Sequence, residues 1–216
     1  MTYLVRTMRE EDVEQVTAID REAFPTMWPP ANYKREMKNR LAHYLVIYDD
    51  RHPLEQAEVK THSGDGLYGK IKRWFLPGRY SAANQTLTIS HYIIGFVGFW
   101  VMADEAHITS IAVRENYRRQ GIGELLIVSV IDMAMRLKAR IVTLEVRVSN
   151  EGAQRLYSRY GFSKVGIRKG YYNDNHEDAV IMSTASIKSV EYRAELAGRK
   201  KVLSNKIGMP LQKVFQ

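Results

Sequence analysis

The chain contains no cysteine among its 216 residues. That excludes a disulfide framework, a cysteine nucleophile and any cysteine-ligated metal or cluster, and it fits a reducing compartment. Long apolar runs are missing too. The longest, Tyr92 to Ala103, has twelve residues, short of the roughly 20 that span a bilayer. The first ten residues carry charges where the apolar core of a secretory signal would lie. These absences predict a soluble, cytoplasmic protein without a transmembrane segment. There is no internal repeat. The phosphate fingerprints G-x-G-x-x-G and G-x-x-x-x-G-K-S/T are absent, and so is a closely spaced His/Glu metal-ligand set.

What is present is ordinary for a globular chain, with 45% apolar and 26% charged residues. The length predicts one domain large enough to bury a core without staples. The formal charge is +8, unevenly placed. Residues 51–91 hold six Lys/Arg against three Asp/Glu, residues 187–216 hold seven against two, and the remainder is neutral. Clustered positive charge points to an anionic partner such as RNA or a membrane surface, or else to solvated segments that keep the protein soluble.

Periodicity predicts a strand at 3–8 and a helix at 10–24, where Val13, Val16, Ile19, Ala23 and Phe24 share a face. A second helix is expected from Asn32 to Leu41 and a short strand from Tyr44 to Tyr48. From Asp49 to about Asn84 the chain is polar and rich in turn residues, and it reads as an insert. Within it Leu67, Tyr68, Ile71, Trp74 and Phe75, with Lys70, Lys72 and Arg73 between them, fit a short basic amphipathic helix. Strands follow at 87–102 and 106–113, a helix at 121–138, a strand at 141–148 and a helix from Asn150 to Tyr160. Gly161 suits that helix's left-handed C-terminal position. Strands at 162–167 and 179–184 complete the series, and the tail after Ser186 reads as basic and mostly polar. Strands that alternate with helices and also pair as hairpins predict an α/β (α+β) chain with a mixed sheet.

The most informative stretch runs from Ile108 to Ile127. A strand ends at Val113, and Arg118-Arg119-Gln120-Gly121-Ile122-Gly123 then opens a long helix. Unpaired N–H groups and the helix dipole at such a turn favour an anion, and two glycines let the backbone approach phosphate oxygens. Taken alone, the turn is equally a plain helix entry with surface arginines.

Other stretches extend the pattern. Asp104-Glu105-Ala106, Ile111-Ala112-Val113, Leu144-Glu145-Val146-Arg147, Ser149-Asn150, Leu156-Tyr157, Gly161-Phe162, Tyr171-Tyr172 and Glu177-Asp178-Ala179 follow in order, with Ala23-Phe24-Pro25 and Trp28 near the start. Together they resemble the GNAT superfamily of N-acetyltransferases over about residues 3–48 and 90–185. Within it they resemble the RimI branch, which acetylates the N-terminal alanine of a ribosomal protein.

The resemblance implies a GNAT fold over 1–186, with a mixed, mostly antiparallel sheet flanked by helices. The insert at 49–88 and the basic extension at 187–216 fall outside it. It implies acetyl-CoA as donor, no metal, and a protein N-terminus, most directly a ribosomal one, as acceptor. It implies that Arg118, Arg119, Gln120, Gly121, Ile122, Gly123 and Glu124 hold the pyrophosphate. Ile111, Ala112, Val113 and Asn150 would contact the rest of the cofactor.

Glu145 would be the general base. By alternation alone it shares a face with Thr143 and Arg147 and is either solvent-facing or held for a purpose. Tyr157 would be the general acid; by spacing alone it is also a core aromatic. Phe24, Pro25, Trp28, Tyr171 and Tyr172 would line the peptide site, or merely pack. His107 reads as a structural or half-exposed residue and is not counted as catalytic. Competing expectations are acetylation of another amine, such as a lysine or a small molecule, and a ribosome- or RNA-binding module that uses the basic insert and tail.

Overall fold

The computed structural model describes residues 3–26, 31–54, 90–208 and 211, with the backbone alone for 51–54 and 90. Trp28 and the expected Leu67–Phe75 helix lie outside the described residues. Seven strands among the described residues form one sheet: β1 (Tyr3–Thr7), β2 (Ala42–Leu54), β3 (Ser90–Met102), β4 (Glu105–Val113), β5 (Ile141–Arg147), β6 (Phe162–Arg168) and β7 (Ala179–Thr184). Their spatial order is β1-β2-β3-β4-β5-β7-β6. Every neighbouring pair is antiparallel except β4 and β5, which run parallel. The helices are α1 (Val13–Ala23), α2 (Tyr33–Glu36), α3 (Ile122–Arg136), α4 (Glu151–Arg159) and α5 (Val190–Ile207).

The sheet is covered unequally. On one face α3 and α4 pack against Ile94, Val97, Phe99, Ile108, Leu144 and Val146. On the other face Val16, Ile19 and Tyr33 from α1 and α2 pack against Leu4, Val46, Ile93, Phe96 and Ala112. That second cluster includes no residue of β5, β6 or β7. Strands β1 to β4 are therefore sandwiched, whereas β5 to β7 present their second face beside α1 and α2. Central strand β3 is accordingly apolar on both sides, as strands buried on both faces are.

Three elements differ from the sequence expectation. The second helix shrinks to the four residues of α2, capped by the Asn32 side chain on the Arg35 N–H. Asn39 Oδ1 then accepts the Leu41 N–H at 3.1 Å and turns the chain into β2. Strand β2 is much longer than the apolar Tyr44–Tyr48 segment, because its ladder with β3 resumes at Pro53↔His91 and Leu54↔Ser90. Backbone pairing needs no apolar pattern there.

The tail is not a polar extension. It forms the 18-residue α5, which buries Tyr192, Leu196, Leu203 and Ile207 against the main core. It runs antiparallel to α3. Lys188 Nζ donates to the Lys138 carbonyl at 2.7 Å, Lys200 pairs with Asp132 at 2.6 Å and Lys206 with Glu124 at 2.6 Å. This explains the composition of α3, in which Leu125 to Ile131 are all buried. A helix apolar on every side needs cover on every side, and α5 supplies the outer layer.

Leu203 is 1% exposed and its neighbour Val202 is 69% exposed. Leu203→Ala should therefore cost about 2–4 kcal/mol, whereas Val202→Ala should stay within about 0.5 kcal/mol. Urea unfolding of both variants checks this.

Candidate active site

The parallel register of β4 and β5 runs from Glu105↔Ile141 to Ile108↔Leu144 and ends there. Beyond it, Ile111, Ala112 and Val113 pair only with β3, and Glu145 to Arg147 pair only with β7. The two strands part and leave a cleft with main-chain groups along its β4 wall. Glu145 is the first β5 residue past the fork.

The turn into α3 lies beyond the end of β4. Gly121 is the N-cap, with φ +93°, and no side chain caps the helix. The first backbone bond of the ladder is Leu125 N–H to the Gly121 carbonyl at 2.9 Å. The N–H groups of Ile122, Gly123 and Glu124 thus precede the ladder, as an anion cradle requires. Arg119 is also left-handed, at φ +65°. Arg118 and Arg119 are exposed, and Arg118 Nε donates to the Val113 carbonyl at 3.2 Å, tying the turn to the end of β4. Gln120 is held by Tyr3 and by the Asn116 carbonyl. Such a cradle fits the pyrophosphate of a nucleotide-bearing cofactor.

Two residues of this turn are placed differently from expectation. A Cβ on Gly121 would meet Ile207 at 3.0 Å and Leu203 at 3.3 Å. A side chain there presses on α5 rather than on a phosphate. Glu124 turns its carboxylate away from the turn, where it accepts from Lys206 at 2.6 Å, Tyr160 at 2.9 Å and Arg159 at 3.2 Å. Burial alone would push this carboxyl up. The Lys206 and Tyr160 hydrogen bonds, with the charges of Lys206 and Arg159, outweigh burial and hold it below its ordinary range. Only the Glu124 backbone is left for an anion.

At the fork, the Glu145 side chain is 6% exposed and sits between His107 and Arg168. His107 Nε2 is 3.1 Å from Oε2, and Arg168 is 3.1 Å from Oε1. The alternation reading of Glu145 as a solvent-facing residue fails because Arg168 reaches back from β6. His107 continues the chain, with Nδ1 2.9 Å from Thr143 Oγ1, and the Thr143 hydroxyl donates to Glu105. Thr143 has one hydroxyl proton, so giving it to Glu105 makes His107 Nδ1 the donor to Thr143. A connected path thus leads from Glu145 to the partly exposed Glu105. Sequence reasoning passed over His107 and Arg168. The register His107↔Thr143 would have exposed the first, but nothing local marks the second.

Tyr157 is buried and packs on Phe162, with ring centroids 5.9 Å apart. Burial, then the neighbouring Tyr172, pushes its phenol up, so it stays protonated at neutral pH. Asn150 caps α4 by accepting the Ala153 N–H at 3.1 Å, which leaves its amide N–H groups for a ligand.

Tyr171 and Tyr172 lie in the turn after β6 and meet edge to face at 5.2 Å. The Arg147 guanidinium covers the Tyr172 ring at 3.8 Å and pairs with Asp174 and Glu177. Phe24 ends α1 and Pro25 follows it. Next, Thr26 donates to Asp174 at 2.6 Å, joining the α1 end to the tyrosine turn beside the sheet face that no helix among the described residues covers.

Residues 13–162 match the acetyltransferase (GNAT) family. The chain belongs to that family. A provisionally named ribosomal-protein-bS18-alanine N-acetyltransferase of Bacillus subtilis is 35% identical over 179 residues, spanning 82% of this chain and 92% of the relative. An N-alpha-acetyltransferase of Sulfurisphaera tokodaii is 32% identical over 185 residues, spanning 84% and 92%. The crystal structure of an Escherichia coli ribosomal-protein-alanine N-acetyltransferase superposes with a TM-score of 0.60 at 23% identity, covering 88% of this chain and 97% of that one, which shows the shared fold. GNAT enzymes take the acetyl group from acetyl-CoA, and this chain is an acetyltransferase of that kind. No helix among the described residues is long and apolar enough to cross a membrane.

Two outcomes follow from the geometry. Gly121→Val should destabilise the fold by about 1–2 kcal/mol from backbone strain alone, before any contact with α5. Gly123→Ala should be tolerated, because a Cβ there meets only Leu156, at 3.4 Å. Thermal unfolding compares the two. The second outcome concerns Glu177, whose carboxyl is held at about 2 by the Ser149 hydroxyl and N–H, with Arg147 assisting. A depressed carboxyl stabilises the fold fully above its unfolded value of roughly 4.3 and loses that contribution as pH falls toward 2. An NMR titration should find Glu177 still ionised at pH 3, and Glu177→Gln should flatten the acid limb of the stability curve.

Proposed function

We propose that the protein transfers the acetyl group of acetyl-CoA to the α-amine of a protein N-terminus, most directly the N-terminal alanine of a ribosomal protein. The observation that carries this reading is the buried Glu145, held by His107 and Arg168 at the β4–β5 fork with Tyr157 on the α4 side. Acetyl-CoA supplies an activated thioester, and the protein must manage two protons and one developing charge.

The amine attacks the thioester carbonyl in its neutral form, and the nitrogen then gives up the first proton. An α-amine with a pKa near 8 is about one-fifth neutral at pH 7.4, whereas a lysine near 10.4 is about 0.1% neutral. A carboxylate base of modest strength suits the former. Glu145 Oε2 accepts that proton, directly or through one water, and His107, Thr143 and Glu105 offer it a way out. The charge that develops on the carbonyl oxygen needs an N–H donor, and the main chain at Val113 borders the cleft. The second proton goes from the Tyr157 hydroxyl, protonated at neutral pH, to the departing thiolate. The relatives' names support a protein N-terminus as acceptor. Phe24, Pro25, Tyr171 and Tyr172 flank the sheet face that no helix among the described residues covers, where an extended peptide would lie.

Ribosome contact belongs to the same proposal. It falls to the insert and to the solvent-facing Arg193 and Lys201 of α5, since Lys200 and Lys206 are engaged by Asp132 and Glu124.

Thiol release with acetyl-CoA and an Ala-initiated ribosomal peptide, with mass spectrometry of the product, is the test. The α-amine should be acetylated, and a peptide with a blocked N-terminus and a free lysine should not react. Glu145→Gln should lower kcat about 10²-fold, and His107→Asn about tenfold. Transfer to the blocked peptide at an equal rate would overturn the acceptor assignment. A Glu145→Gln rate within twofold of wild type across pH 6–9 would remove Glu145 as base.

A further inference from the structure

We propose that helix α5 sets the affinity of the phosphate cradle by neutralising Glu124 through Lys206. The inference rests on the acetyl-CoA reading and concerns a helix outside the family match at 13–162.

An anion at the start of α3 is attracted by the unladdered N–H groups and the helix dipole. Glu124 sits in that same first turn. A carboxylate there competes with a pyrophosphate for the positive end of the helix, and repels it when both are present. The structure removes the conflict. Glu124 Oε1 accepts from Lys206 at 2.6 Å, and Oε2 accepts from Tyr160 at 2.9 Å and Arg159 at 3.2 Å. Two cations on one carboxylate leave the base of the cradle net positive.

Lys206 is held for this task by its neighbours. Leu203 and Ile207 flank it on α5, and a Cβ on Gly121 would meet all three: Ile207 at 3.0 Å, Leu203 at 3.3 Å and the Lys206 stem at 3.8 Å. Lys200 on Asp132 fixes the same helix six residues, about one and two-thirds turns, earlier. Lys206 is therefore a positioning residue, acting on the cofactor through Glu124 rather than by contact. The role also explains why α5 ends beside the cradle, when its apolar face alone required only that it cover α3.

The test uses the full chain and CoA as probe, with affinity measured by calorimetry and the unliganded thermal midpoint recorded beside it. Lys206→Met keeps the aliphatic stem and removes the charge. It should weaken CoA binding about five- to tenfold. Lys206→Arg should retain wild-type affinity. Adding Glu124→Gln to Lys206→Met should restore binding to within about twofold of wild type, because the unpaired carboxylate is then gone. A purely structural role for Lys206 predicts a lower midpoint with unchanged affinity, or weak binding that Glu124→Gln fails to rescue. Either result overturns the proposal while leaving the acetyltransferase reading in place. Absence of CoA binding by the wild-type chain would instead overturn both.

Discussion

A parallel ladder between β4 and β5 holds for a few residue pairs and then stops at Ile108↔Leu144. Most of the candidate site depends on that interruption. Strands that stayed paired would satisfy each other's main-chain groups and leave no room between them. Because they part, the β4 main chain near Ile111 to Val113 borders a cleft, and Glu145 stands at its apex. The antiparallel ladders to β3 and β7 on the outer sides hold both strands in the sheet while the gap opens, and the β3–β4 register shifts at Thr109, beside the fork. The cleft is thus built into rigid elements rather than loops, which suits a site that must hold a thioester and an amine in fixed relation.

Around that cleft the two faces of the sheet have separate duties. The face under α3 is a continuous apolar core that ends in the anion cradle at Gly121. The other face is apolar only where α1 and α2 cover it, and past β4 it turns polar with Thr143, Glu145 and Arg147. At the edge of the area that α1 and α2 cover, the end of α1 and the tyrosine turn meet through Thr26 and Asp174. Donor and acceptor would thus approach the fork from opposite sides, which keeps two bulky substrates apart until their reactive ends meet.

Charge is arranged with the same economy. Glu145 and Glu124 are both buried carboxylates, and each has two basic side chains against it. Burial of an unpaired carboxylate is costly, so pairing is required in both places. The partners differ in kind. Glu145 has His107, whose ring can both give and take a proton, whereas Glu124 has Lys206 and Arg159, which offer donors only. One site is suited to proton movement and the other to holding a fixed field.

Local sequence determined a good part of this protein. The Arg118–Gly123 turn, the capping Asn150, the left-handed Gly161 and the strand carrying Glu145 are legible because each depends on backbone geometry over a few residues. The order of motifs made the family recognisable for the same reason. The apolar run Leu125 to Ile131 also held a readable hint, since no helix stays apolar on every side without a cover, but nothing local said that residues 190–207 supply it. That decision, like the bridging of Glu145 by His107 and Arg168, belongs to tertiary structure. His107 and Glu145 are 38 residues apart in the sequence, and they meet because two parallel strands align in register. Arg168 reaches Glu145 across β7, whose Ala179 pairs with Arg147 on one side and Arg168 on the other. Spacing along the chain reports which face a residue occupies, whereas the partner across that face is chosen by strand order and helix packing.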